Sequence, residues 1–359
     1  MRQGWNMWRK HKNSLLYVLL FLLSIVTVYN LVSFLRTTGT RAAGEQDSHK
    51  IRIGISLGTM KEERWARDRD ILMAKAKELG AEVFVQNANN DDSDQLSQVK
   101  YLLSKNIAVL IIVPNDLSKA AEAVRLAKSR GVKVISYDRL VRDSGVDLYI
   151  SFDNVQVGRL MAQYLVSRVP KGNYLIVNGA DTDYNTHMLK EGYDSVLKEY
   201  EADGNIHILD EKWTPNWLTE SAYQTVDKLL QGNKKIDAII AGDDGLAGAA
   251  IQALAEHRLA GKVLVVGQDA DLAACQRIVD GTQAMTVYKQ IDKLAETSIR
   301  MALRLARGDK MTGGQTIYDG TYEVPYYAIA VIPVDKSNMQ STVIKDGFQT
   351  SEDVYRYAK

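Results

Sequence analysis

The chain has 359 residues, with 45 Lys plus Arg balanced by 44 Asp plus Glu and a single cysteine. Single cores rarely grow beyond roughly 250 residues, so two are expected here. Near-neutral charge without a basic stripe after the first dozen residues argues against a nucleic-acid binder, and the lone Cys275 excludes an internal disulfide framework and multi-cysteine metal sites.

The N-terminus carries the compartment signal. Ser14 to Leu35 contains no charged residue and is long enough to cross a bilayer as a helix. Arg2, Arg9, Lys10, His11 and Lys12 precede it, whereas only Arg36 and Arg41 follow closely. The positive-inside rule therefore places 1–13 in the cytoplasm, 14–35 in the membrane as a single-pass signal anchor, and the long C-terminal part outside, extracellular or periplasmic. A cleaved signal peptide competes, with Ala42-Ala43-Gly44 as its cleavage site, but the apolar run exceeds a usual h-region. No cysteine is available here for lipid attachment. Residues 36–50 are small and polar and read as a tether.

From Ile51 the apolar runs IRIGIS, AEVFVQ, VLIIVP and VKVISY alternate with RDILMAKAKELG, DQLSQVKYLLSKN and SKAAEAVRLAKSRG. Short apolar strands spaced by amphipathic helices predict a doubly wound α/β unit with a parallel sheet covered on both faces. Gly80, Asn106 and Gly131 are placed to close helices in the left-handed conformation, and Ser118 reads as an N-cap after Pro114. The same grammar restarts near Asn154 and runs to TQAMTVYK, which predicts a second lobe of like architecture. The division expected is 51–155 plus 290–318 for the N-terminal lobe, 156–289 plus 319–348 for the C-terminal lobe, and 349–359 as a tail. Beyond Lys289 a helix is expected from Ile291 to Arg307, after which Pro325 and Pro333 restrict the chain to edge strands or extended crossings. Two lobes joined by short crossings form a cleft whose width changes by hinge motion.

Nearly every strand delivers a polar group to one rim. These are Arg64 with Trp65, Asn115 with Asp116, Asp138 with Arg139, and Asp153 with Asn154, then Asp183, Tyr184 and Asn185, Asp243 with Asp244, and Gln268 with Asp269. Trp213, Trp217 and Lys289 complete the set. A single Asp or Asn after a strand is most often only a cap or turn residue, and Asp94, Ser118, Asp271 and Asp280 stay in that class. The combination of carboxylate, amide, Arg and Trp suits a sugar, whose hydroxyls donate and accept and whose C–H faces stack on rings. Plainer readings remain beside it: Asp138 and Arg139 as an ion pair, Arg64 on a solvated helix face, Trp65 and Trp213 as core.

Enzymatic chemistry finds little support. The five histidines lack HExxH spacing, no GxSxG elbow occurs, and the first strand leads into no GxGxxG. Asp138, Asp243 and Asp269 could supply a glycosidase pair, which geometry must judge. No enzyme activity, metal or cofactor is expected.

ERWARDRD at 63–70, AEVFVQNAN at 81–89 and VKVISYDRLVRDSGVDLYISFDN at 132–154 closely resemble the xylose-binding members of the ribose/galactose-type periplasmic sugar-binding family. The resemblance continues through NKKIDAIIAGDD, GQDADLA, GTQAMTVYK and VIKDGF, over nearly 300 residues. It implies two Rossmann-like lobes joined by three hinge crossings, the type I periplasmic-binding-protein fold, closing on one aldopentose such as D-xylose. It further implies that Arg64, Arg139, Asn185, Asp243, Asp269 and Lys289 contact hydroxyls, that Asp138 and Asp183 lie close by, and that Trp65 and Trp217 offer aromatic faces. Where the relative has asparagine this chain has Asp243, a group that cannot donate when ionised. The implied partner is an ABC permease or, for a membrane-held receptor, the extracellular region of a two-component histidine kinase.

Overall fold

The structure, a computed structural model, describes residues 24–33, 50–311 and 314–357. The basic segment 1–13, most of the expected span 14–35 and nearly all of the tether lie outside the described residues. Residues 24–33 form a helix, α1, with Ile25, Val28, Tyr29 and Leu31 exposed. No described helix is long and apolar enough to cross a membrane. Residues 51–359 form a separate compact unit.

That unit begins with β1 (Arg52–Leu57), α2 (Glu63–Glu78), β2 (Glu82–Asn87), α3 (Asp92–Ser104), β3 (Val109–Val113), α4 (Ala121–Ser129), β4 (Lys133–Tyr137) and β5 (Leu148–Phe152). The second series is α5 (Asn154–Val166), β6 (Gly172–Asn178), α6 (Tyr184–Ala202), β7 (Ile206–Trp213), α7 (Thr219–Gln231), β8 (Ala238–Ala241), α8 (Asp244–Glu256), β9 (Leu264–Gln268), α9 (Leu272–Asp280) and β10 (Met285–Tyr288). The chain then returns through α10 (Ile291–Ala306), β11 (Gln315–Tyr318), β12 (Glu323–Ile329), β13 (Ile332–Val334) and α11 (Ser351–Val354).

Two sheets result, ordered β11-β12-β5-β4-β3-β1-β2 and β13-β10-β9-β8-β6-β7. Apart from antiparallel β11 and β13, every pairing is parallel. Each sheet carries the same five-strand winding, β2-β1-β3-β4-β5 in one and β7-β6-β8-β9-β10 in the other. Such a winding reverses direction beside its first strand, and ligands of open α/β sheets sit outside the strand C-termini there. The chain passes between sheets three times, at Asp153, at Lys289-Gln290 and at Ala330-Val331.

β3 is buried along its whole length and β1 from Ile53 onward, as expected of strands covered on both faces. Gly80, Asn106 and Gly131 all have positive φ where their helices turn back. Glycine is required between α5 and α6, because a Cβ at Gly158 would overlap the Leu189 carbonyl and one at Gly192 the Val155 carbonyl.

Several expectations change. Residues 319–348 do not all belong to the second lobe, because β12 lies beside β5 in the first sheet, with Tyr326 opposite Tyr149, and only β13 joins the second. Pro325 is therefore in an interior strand. It stands one residue before the β5 pairing begins, so its missing N–H breaks no bond to that neighbour. Ser118 is not a helix cap: Asp116 caps this turn, accepting from Ser118 N and Lys119 N at 2.9 Å each. Residues 349–359 are not simply a tail, since Val354 is buried and Gln276 Nε2 donates to Asp353 O at 2.8 Å.

Candidate functional site

β1 leads through a short loop into α2, whose first turn carries Arg64 and Trp65. Arg64 is buried, not on a solvated face. Its Nε donates to Asp68 Oδ2 at 3.2 Å, its NH2 to Asp138 Oδ2 at 2.7 Å, and its NH1 lies 3.6 Å from Asp269 Oδ1 across the cleft. Asp68, one helical turn on, also receives the Tyr137 hydroxyl, so the guanidinium is fixed from behind. Trp65 is buried, donates from Nε1 to Glu62 Oε2 at 2.6 Å, and lies 4.5 Å from the Arg64 guanidinium and 5.2 Å from that of Arg139.

Asp138 follows β4 in the left-handed region, φ 61°. The hydroxyls of Tyr149 and Ser151 hold its carbonyl at 2.9 and 2.6 Å. Its carboxylate binds Arg64 and, at 3.1 Å, Asn185 Nδ2 from the other lobe. The sequence neighbours Asp138 and Arg139 are not an ion pair. Arg139 instead reaches across to Asp183 at 2.7 Å. Asp183 opens α6 and caps Asn185 N, while Asn154 Nδ2 donates to Asn185 Oδ1 at 3.0 Å and so orients that amide.

In the second lobe Trp217 follows β7 on a tight turn, with φ 49° at Asn216 and 54° at Trp217 itself. Its ring occupies the space that a Cβ on Gly179 would need. Trp213 sits apart, its ring 5.1 Å from that of His187. Asp243 caps α8, its Oδ1 accepting from Leu246 N at 2.6 Å. Asp244 lies behind it, accepting from Gln283 Nε2 at 2.7 Å, Thr286 Oγ1 at 2.8 Å and Asp271 N at 3.2 Å. Asp269, φ 98°, follows β9, and Lys289 Nζ lies 3.2 Å from its Oδ1. That approach is an ionic contact without hydrogen-bond geometry, and Asp269 Oδ1 has no hydrogen-bond donor.

All ten expected site residues line one cavity with about 330 Å³ of atom-free space, mouth included: Arg64, Trp65, Asp138, Arg139, Asp183, Asn185, Trp217, Asp243, Asp269 and Lys289. Glu62 and Gln268 line it as well. Glu62 was hidden in a run of charges. Gln268 ends β9, and its sequence position alone does not separate it from an ordinary strand-end residue. Asp68 and Tyr137 support Arg64 without reaching the cavity, and only the four-residue spacing from Arg64 could have pointed to Asp68. Asn115 binds Asp92 at 2.7 Å, and Asp153 caps α5, so the plainer reading holds for both.

Five carboxyl groups line the cavity against three cations, Arg64, Arg139 and Lys289. Burial pushes the Asp138 carboxyl up, but Arg64, Lys289 and Arg139 outweigh it and hold it below the usual carboxylate range. Burial raises Asp183, with Arg139 opposing. Asp243 has no such partner: burial, with Asp269, Asp244 and Glu62 adding to it against the Leu246 N–H, pushes it up to about 7. Among the described residues the buried atoms Trp217 Nε1, Gln268 Oε1 and Asp269 Oδ1 make no hydrogen bond. Buried polar atoms ordinarily find partners, so a donor and two acceptors left over in one cavity suit a ligand that both donates and accepts.

Comparison with known proteins agrees with this geometry. The periplasmic binding protein domain matches residues 53–310. The D-xylose-binding periplasmic protein of Haemophilus influenzae is 44% identical over 309 residues, covering 86% of this chain and 93% of its own. That of Escherichia coli is 42% identical over 306 residues, covering 85% and 93%. A solved carbohydrate transporter solute binding protein from Chloroflexus aurantiacus, in complex with D-glucose, superposes with a TM-score of 0.80 at 32% identity, covering 85% of this chain and 98% of that one. These relatives are sugar-binding proteins and not enzymes. From its two like-wound lobes, its polar interlobe cavity and these matches, the chain belongs to the periplasmic binding protein family, in the type I sugar-binding branch.

Proposed function

We propose that residues 51–357 bind D-xylose or a closely related aldopentose between the lobes, and that closure on the sugar is presented to a membrane partner. The observation that carries this reading is the set of ten polar and aromatic side chains, drawn from both lobes, around one cavity that retains unpaired buried donors and acceptors. Relatives at 42 and 44% identity that bear the name D-xylose-binding support the choice of sugar. In this reading Arg64, Arg139, Asn185, Asp243, Asp269 and Lys289 bind hydroxyls, Asp138 and Asp183 orient the two arginines, and Trp65 and Trp217 cover the C–H faces. A sugar shifts the lobes toward closure only by binding the closed form more tightly.

Calorimetry of the full chain with D-xylose tests the sugar. Saturable heat supports the reading, and its absence sinks it.

The charge-free stretch Ser14 to Leu35 favours a receptor held in the membrane, with its sugar-binding unit outside. Its partner is then the extracellular region of a histidine kinase or the permease of an importer. Crosslinking in native membranes separates the two. Recovery of a shortened chain in the soluble fraction would instead favour a released transport component.

A further inference from the structure

The loop after β1 belongs to the first lobe, and the Asn216-Trp217 turn after β7 belongs to the second. Lys61 in that loop is exposed and does not line the cavity. Its Nζ nevertheless donates across the cleft to Asn216 O at 3.0 Å and to Trp217 O at 3.2 Å. Both carbonyls belong to residues with positive φ, 49° and 54°, a conformation that steric crowding disfavours for an asparagine mildly and for a tryptophan strongly. An ammonium group shared by the two carbonyls favours the backbone conformation that turns both toward it.

We propose that Lys61 is a latch on the closed form, an affinity-determining residue that acts through Trp217 and the lobe contact without touching the ligand. The proposal rests on the reading of the cavity as a sugar site closed by two lobes. Lys61 is anchored close to the site: its own N–H donates to Thr59 Oγ1 at 3.0 Å, and the next residue, Glu62, lines the cavity and receives Trp65. The latch thus ties the loop beside one site tryptophan to the turn that carries the other. Since the contact bridges two lobes, it must break before the sugar leaves, so its loss is read in the off-rate. Two further links cross the cleft nearby, Leu117 N to Thr182 O at 3.0 Å and Arg142 over the Tyr184 ring at 5.1 Å, so the loss of Lys61 loosens closure without abolishing it.

The test uses the full chain, with Lys61→Met, which keeps the apolar stem and removes the donor, and Lys61→Arg, which keeps a donor. Stopped-flow tryptophan fluorescence with D-xylose gives the rates. Spin labels at Ser129→Cys and Lys234→Cys, exposed positions on the two lobes, give the interlobe distance without sugar. Lys61→Met is expected to raise the off-rate about three- to tenfold, the equivalent of one or two modest hydrogen bonds. It should also add a longer component to the distance distribution, and Lys61→Arg should stay near the parent. An off-rate within twofold of the parent, or a faster off-rate with an unaltered distance distribution, overturns the latch. Should the parent bind no D-xylose, the sugar reading fails and the distance measurement alone decides the latch.

Discussion

Asp243→Asn replaces the cavity carboxyl that pairs with no cation by a neutral amide. With a pKa pushed up to about 7, the Asp243 carboxyl is about half protonated at pH 7 and about one-hundredth protonated at pH 9. Its Oδ1 already accepts from Leu246 N, so the proton resides on Oδ2 and can be donated to a hydroxyl. If only this neutral form binds sugar, the apparent Kd of the parent rises about fiftyfold from pH 7 to pH 9. The Asn variant, a permanent donor and an equally good helix cap, shows no such rise. Asp244 is also raised to about 7, chiefly by burial. However, it accepts three hydrogen bonds that favour its charged form, against the single one at Asp243, so Asp243 takes the proton. Stability should follow the same titration. A carboxyl raised above its ordinary 3.8 contributes fully below that pH and loses its contribution as pH rises through about 7. Asp243→Asn should therefore raise Tm at pH 8 and leave it unchanged at pH 4. Calorimetry with D-xylose from pH 6 to 9 provides the assay. A parent Kd independent of pH, or an equal rise in the variant, would refute the reasoning.

Asp68→Asn removes the charge that holds Arg64 Nε and the Tyr137 hydroxyl. Hydrogen bonds to charged groups contribute about 1.5–3 kcal/mol, so xylose affinity should fall at least tenfold while circular dichroism stays native, and unchanged affinity would remove Asp68 from the site's support. Gly179→Ala places a methyl group in the Trp217 ring and should weaken sugar binding more than it lowers Tm; a loss of stability at intact affinity would contradict the placement of that ring. Gly158→Ala forces α5 from the Leu189 carbonyl and should cost about 1–3 kcal/mol in urea unfolding. A neutral result there would mean that the two helices are not in such close contact.

The alternation of apolar runs and amphipathic stretches was enough to place the strands and helices of both lobes, because strand and helix periods are local properties of the chain. The same holds for the turns at Gly80, Asn106 and Gly131, where only residues tolerant of positive φ follow a helix. Even the gathering of Arg64, Asp138, Asp183, Asp243, Asp269 and Lys289 was legible, since parallel strands deliver every C-terminal loop to one rim. The side of the crossing on which β12 falls was not, because an apolar segment of that length can pair with either sheet.

Tertiary structure alone chose the partners. Arg139 passes over adjacent Asp138 for Asp183 on the other lobe, and Asp138 takes Arg64 from within its own lobe, because charges pair through space and not along the chain. Burial, with Asp269, Asp244 and Glu62 adding to it, then pushed the Asp243 carboxyl up to about 7, since no cation pairs with it. Composition and periodicity thus determined the rim and the residue types on it. Tertiary packing decided which of them pair, and lobe apposition that a lysine outside the cavity bridges the cleft.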